Sequence, residues 1–235
     1  MFGAVPVFLL NGLSYVASGM TEIFIREKSP RISQSSTFKL KSLVEGLRYF
    51  RNERTIGGIS IVAGLLNFVG TPLFLFFPLY AKVYFGKGPL GIGLTFVAVS
   101  VGGLFFSILL YIKRDFKNKG LAMLFGTAGC GLLTIALPFS MSFPVFLAMI
   151  AVIGVSFAIN INFINIILQT RTSPEYLGRV TSLFLVLCTA LIPLGYALYT
   201  ALLQVASLGT LTIVAGISIV AVDAIFLLVP GFTKL

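Results

Sequence analysis

Five stretches of the sequence carry no Asp, Glu, Lys or Arg: residues 1–21, 55–81, 88–112, 120–170 and 180–222. A helix needs about 20 apolar residues to cross the hydrocarbon core of a bilayer, and every one of these stretches is that long. A transmembrane β-barrel alternates apolar and polar residues in segments of about 10; these stretches do not alternate. The expected fold is therefore all-α, a polytopic membrane helical bundle. Only 10% of the residues are charged, against about a quarter in soluble domains. Two stretches are double length. The first divides at Pro138 to Pro144, where two prolines bracket turn-forming residues. The second divides near Ser207 to Thr210. Seven spans result, at about 3–25, 56–81, 89–112, 120–141, 144–169, 179–206 and 209–229.

The basic residues set an orientation. Arg26, Lys28, Arg31, Lys39, Lys41, Arg48, Arg51 and Arg54 fall in the first loop. Lys113, Arg114, Lys117 and Lys119 fall in the third, Arg171 and Arg179 in the fifth, and Lys234 at the C-terminus. The alternate loops hold only Lys82 and Lys87. Lys and Arg concentrate on the cytoplasmic side. The long first loop and the C-terminus are expected in the cytoplasm of a cell whose plasma membrane the chain crosses, with the N-terminus outside. The net charge of +10 thus reads as topology and not as a nucleic-acid surface. Within the loop, Leu40, Leu43, Val44, Leu47 and Phe50 follow helical spacing, which predicts an amphipathic helix on the inner membrane surface or a solvated helical linker.

Composition narrows the chemistry. The sequence has no His, and five of its seven carboxylates lie in polar loops, so no metal site, cofactor or catalytic pair is expected. No phosphate-cradling glycine loop ending in Lys-Ser or Lys-Thr is present. Cys130 and Cys188 stand alone in apolar runs and read as packing residues.

Polar groups inside a span are costly and mark pathways or helix–helix contacts. Asn67 lies near the middle of its span, ahead of Gly70, Thr71 and Pro72, and Pro78 follows. A midplane amide on a kinked helix suits a substrate-facing element or an interhelical hydrogen bond. Asn162, Asn165 and Gln169 share one helical face, whereas Asn160 points away from them. That stripe reads as helix–helix glue near a cytoplasmic gate or as substrate contact. Asp223 is the only acid well inside a span, and is a proton-coupling group, a partner of a basic loop residue, or a group that faces water. Ser173, Pro174 and Glu175 mark a helix start. Glu175 and Arg179 are spaced to pair and, with Arg171, suit a cytoplasmic latch or simple capping. Ser14 and Ser18, Ala122 and Gly126, Thr127 and Gly131, and Gly154 and Ala158 are small-residue pairs that let membrane helices approach closely.

One helix, a long basic loop and six further helices with short loops resemble the last seven of the twelve helices of a major facilitator superfamily transporter. Phe8 to Tyr15, with Asn11, Gly12 and Ser14, resembles the sixth helix of its macrolide-efflux-like branch. Glu45 to Phe50 resembles that branch's central loop, and Pro78 to Ala81 the outer end of helix seven. Gln169 to Val180 resembles the loop between helices ten and eleven. The basic loop Lys113 to Gly120 keeps the charge of the family's second gating loop but not its spacing. The resemblance implies that residues 1–25 are the sixth helix, 26–54 the cytoplasmic central loop and 55–235 the six-helix C-terminal bundle. It implies secondary active efflux of a small amphipathic substrate across the lipid bilayer, driven by protons. It further implies that this chain does not transport alone, and pairs with a separately encoded N-terminal half if it is not a fragment. A seven-helix receptor shares the topology. The long first loop fits it poorly, and the last span has no Lys for a retinal.

Overall fold

The computed structural model describes residues 5–24, 48–113 and 116–234. Among them there are helices and turns and no strand. Contacts divide the chain into two units, Met1–Phe38 and Lys39–Leu235. The first holds α1 (Val5–Ile23), whose side chains from Phe8 onward are exposed.

Among the described residues, the second unit includes eight complete α-helices. These are α2 (Arg54–Gly70), α3 (Pro72–Leu79), α4 (Pro89–Lys113), α5 (Lys119–Ala136), α6 (Phe143–Arg171), α7 (Pro174–Ala190), α8 (Ile192–Leu202) and α9 (Leu208–Ala224). They make six continuous helical stretches long and apolar enough to cross a membrane: Arg54–Tyr84, Pro89–Lys113, Lys119–Phe139, Phe143–Arg171, Pro174–Leu202 and Leu208–Leu228. α1 is helical as expected; its described part, Val5–Ile23, is not among these six. The fifth stretch begins five residues earlier than the sequence predicts. Pro174 supplies a preset backbone angle at the first helical position.

Prolines and caps set the ends. α6 begins after Ser142 with Pro144 in its first turn. At 29 residues it is about 43 Å long and outruns the apolar core, so its polar end reaches the interface. Ser207 caps α9, its hydroxyl accepting from the Thr210 amide at 3.1 Å. Ser173 sits at the cap position of α7, but its side chain makes no capping bond; the Tyr176 and Leu177 amides instead donate to its carbonyl.

Packing depends on small residues. α4 runs along α6, and α5 along α9. A Cβ on Gly102 would strike the Ala151 carbonyl, and one on Gly154 the Val99 carbonyl, so α4 and α6 touch backbone to backbone. Gly131 and Gly216 do the same for α5 and α9. Cys130 and Cys188 are buried and free, in keeping with a packing role. One apolar cluster gathers Phe50, Ile56, Met123, Phe163, Phe226 and Phe232, and a second gathers Leu73, Phe76, Tyr80, Phe146 and Tyr199.

Most of the expected amphipathic helix, through Leu47, lies outside the described residues, as does most of the first loop. Residues 48–52 are helical. Phe50 is buried in the first cluster, and Tyr49 stacks on Tyr176 at 5.2 Å. This end of the segment therefore faces the protein.

Candidate functional site: kinked helices and intramembrane amides

The hydrogen-bond pattern of the first spanning stretch changes twice, while its backbone stays helical at Thr71. At Thr71 the axis passes from α2 to α3. The Thr71 hydroxyl and amide both donate to the Asn67 carbonyl, at 2.5 Å and 2.9 Å; the carbonyl that Pro72 deprives of its helical donor is that of Phe68. A proline removes a backbone donor and crowds the preceding turn. Pro78 lies inside α3 and is followed by a π-helical turn, Tyr80–Tyr84, where the Phe85 amide reaches back to the Tyr80 carbonyl. Such widened turns recur at functional sites. The Tyr80 hydroxyl donates to Thr212 on α9 at 3.1 Å and holds the turn in register with the last helix.

A second break, absent from the sequence reading, separates α7 from α8 at Leu191, with Pro193 in the first turn of α8. The two breaks meet. A Cβ on Gly195 would lie 2.9 Å from the Phe68 carbonyl and 3.3 Å from Thr71 Cβ, and one on Gly64 would lie 3.1 Å from the Leu187 carbonyl. The proline-bearing segment of one span is seated against that of another.

The intramembrane amides divide by environment. Asn67 is exposed on α2, and its amide nitrogen donates to its own helix, to the Ala63 carbonyl at 2.9 Å. The interhelical bond is not what it makes. On α6, Asn165 and Gln169 are exposed and Asn162 is half-buried, with the Asn162 amide donating to the Ala158 carbonyl at 2.8 Å. The stripe thus lies at the surface of the described bundle. Arg171, Glu175 and Arg179 are exposed around the turn from α6 to α7, and the Arg179 guanidinium lies 5.8 Å from the Tyr176 ring centre. Pro72 is buried at the kink.

Asn160 is the amide the sequence reading set aside, and it is the one that crosses between helices. It donates to the Thr127 hydroxyl of α5 at 2.8 Å and to the Ser156 carbonyl at 3.0 Å. Asp223 on α9 is 2% exposed, and its Oδ1 has no hydrogen-bond partner among the described residues. The direction in which Asn160 points away from its neighbours was legible from helical periodicity. That α5 stands in that direction was not.

Long apolar helices, exposed amides and close-packed small residues are features of a polytopic membrane bundle. Residues 1–196 match the Major Facilitator Superfamily. The chain belongs to that family. Among relatives, it is 26% identical over 196 residues to Macrolide efflux protein A of Enterococcus faecalis, covering 80% of this chain and 60% of the relative. It is 25% identical over 199 residues to the protein of the same name from Streptococcus pyogenes, covering 82% and 48%. It is 24% identical over 201 residues to Multidrug efflux pump Tap of Mycobacterium tuberculosis, covering 83% and 46%. The chain therefore spans about half to three fifths of the length of these relatives. Major facilitator membership makes it a multi-pass membrane protein of a transporter family.

Proposed function

We propose that this chain works in secondary active efflux of a small amphipathic compound, as the part of a transporter that spans helices six to twelve. The observation that supports this best is the seating of two proline-bearing spans against each other near an exposed intramembrane amide, Asn67. Transporters of this kind place substrate near the bilayer midplane, at interrupted helices between two rocking bundles. Similarity to proteins named for macrolide and multidrug efflux supports the direction and the substrate class.

In this reading residues 1–25 form the sixth helix, 26–54 the cytoplasmic central loop and 55–235 the C-terminal bundle. The N-terminus faces outward and the C-terminus inward. The substrate path follows Asn67 and Pro72 and continues along Asn162, Asn165 and Gln169. These amides are exposed on the described bundle and need an opposing wall. A further bundle supplies that wall, from the same polypeptide or from a separately encoded N-terminal half. Arg171, Glu175 and Arg179 form the cytoplasmic gate at the turn from α6 to α7. The driving ion is the proton, and Asp223 is its coupling carboxylate. No phosphate-binding loop is in the sequence to supply energy from nucleotide.

The test is Asn67→Ala in the assembled transporter. Drug flux should fall at unchanged membrane abundance. Equal loss of flux and abundance would make Asn67 a folding residue and remove the pathway.

A further inference from the structure

Four consecutive residues beyond α9 each have a separate task. Val229-Pro230-Gly231-Phe232 places proline and glycine at the two central positions of a type II turn, the second of which requires a positive φ. Gly231 has φ +74°, and the Phe232 amide donates to the Val229 carbonyl at 3.2 Å across the turn. The chain reverses there, between the short helical turns Ile225–Leu228 and Phe232–Lys234. The reversal brings the Phe232 ring back over Phe226, stacked with centres 4.6 Å apart and planes 9° apart.

Two other helices take hold of this reversal. On α2, the Thr55 hydroxyl donates to the Pro230 carbonyl at 2.8 Å. Three residues on, Gly58 leaves room for Val229: a Cβ there would lie 2.9 Å from Val229 Cγ1 and 3.4 Å from Val229 Cβ. On α5, Gly120 leaves room for the Phe232 carbonyl, which a Cβ would strike. Neither Gly58 nor Gly120 has a positive φ, so these positions need space and not backbone freedom. Gly120 also closes the basic loop that begins at Lys113. Phe116 in that loop packs against Phe106 of α4 and Phe163 of α6, at 6.1 Å and 5.4 Å.

Phe226, Val229 and Phe232 belong to the first apolar cluster, together with Phe50, Ile56 and Met123. Phe226 is 0% exposed and Phe232 1%. Undocking residues 229–234 would expose all three side chains, against the hydrophobic effect, and would break the Thr55 bond.

We propose that residues 229–234 are a strap that clamps the beginnings of α2 and α5 onto the end of α9. The strap stays shut while the bundle moves and makes these three helix ends one rigid block. The span that carries Asn67 is thereby held at its first turns. Movement of Asn67 relative to α5 and α9 then arises from bending of α2 beyond Gly58. The seating of the strap stands without the efflux reading above; its persistence while drug is moved rests on that reading.

Two measurements test the strap. The first is a bridge, Gly58→Cys with Val229→Cys, whose Cβ atoms would lie 3.4 Å apart, close to the spacing of about 3.5–4.5 Å in disulfides. Oxidation of membranes holding the assembled transporter should close it. A bulky maleimide in denaturant should then find no more thiols than in wild type, and two more after reduction. Drug flux should be the same bridged and reduced. Flux lost on bridging and regained on reduction makes the strap a latch that has to open, and overturns the proposal; a bridge that does not form also overturns it. The second is hydrogen exchange at the Val229 and Phe232 amides of the assembled transporter, with no reporter introduced. Gly231→Val forbids the turn and should speed exchange tenfold or more, whereas Gly231→Asn keeps it and should stay near wild type. Wild-type exchange as fast as that of Gly231→Val, or exchange that quickens when drug is added, overturns the strap. If the unmodified transporter moves no drug, the efflux reading falls and hydrogen exchange in the Gly231 variants alone decides the strap.

Discussion

Gly216→Ala probes the seam between α5 and α9 on which the whole bundle depends. The new Cβ would lie 2.7 Å from the Gly131 carbonyl oxygen, 2.7 Å from Ile135 Cγ1 and 2.8 Å from the Ile135 nitrogen. Two of these three neighbours are backbone and cannot rotate away. Ordinary contact begins at 3.4 Å, so the helices must part by about 0.7 Å. A gap of that size forfeits about a quarter to a half of the dispersion attraction of each atom pair across the seam. Overpacking of this kind costs about 1–3 kcal/mol. Alanine also gains helix propensity over glycine, and Gly129→Ala removes that term by comparison. Gly129 is on α5, two residues from Gly131, and its Cβ would meet nothing within 4 Å. At about 2–4 °C per kcal/mol for a chain of this size, Gly216→Ala should melt about 2–12 °C below Gly129→Ala. The buried free thiols Cys130 and Cys188 are built-in reporters: a thiol-reactive fluorophore in detergent reads their exposure on heating. A Gly216→Ala protein that melts at or above Gly129→Ala would refute the backbone-to-backbone seam.

Tyr80→Phe removes the buried hydroxyl that ties the π-helical turn to Thr212. It should cost about 1 kcal/mol, with more if the Thr212 oxygen is left unpaired, read in the same melting assay against Tyr84→Phe. Single cysteines at Ser35 and Lys87 should label from opposite faces of sealed cells, because the charge distribution sets their loops on opposite sides; labelling of both by an impermeant reagent in intact cells would invert or break the topology. Pro193→Ala should relax the second break and lower flux at normal abundance, and full activity would show that the seated kinks play no part in movement.

The spans were legible because a membrane forbids charge over a fixed length, so the absence of four residue types marks each one. The division at Pro138 to Pro144 and the start at Ser173 were legible because proline and a short polar residue leave the backbone few choices there. The break at Leu191 was not read, since Pro193 lies inside an unbroken apolar run and resembles any tolerated membrane proline. The π-helical turn has no local signature beyond Pro78. Asn160 shows why sites are harder than spans. Helical periodicity gives the direction of a side chain around its own axis. Only the packed bundle shows that α5 supplies a hydroxyl in that direction.

The central claim is efflux, and drug accumulation reads it most directly. The chain would be expressed from its own locus with the adjoining reading frames, in a bacterium stripped of its own drug pumps. A radiolabelled macrolide and an unrelated amphipathic drug would be followed with and without a protonophore. Cells carrying the chain should hold less of at least one compound than cells in which this chain alone is deleted, and the protonophore should erase the difference. Equal accumulation of both compounds in the two strains, with the protein present in the membrane, would contradict the account.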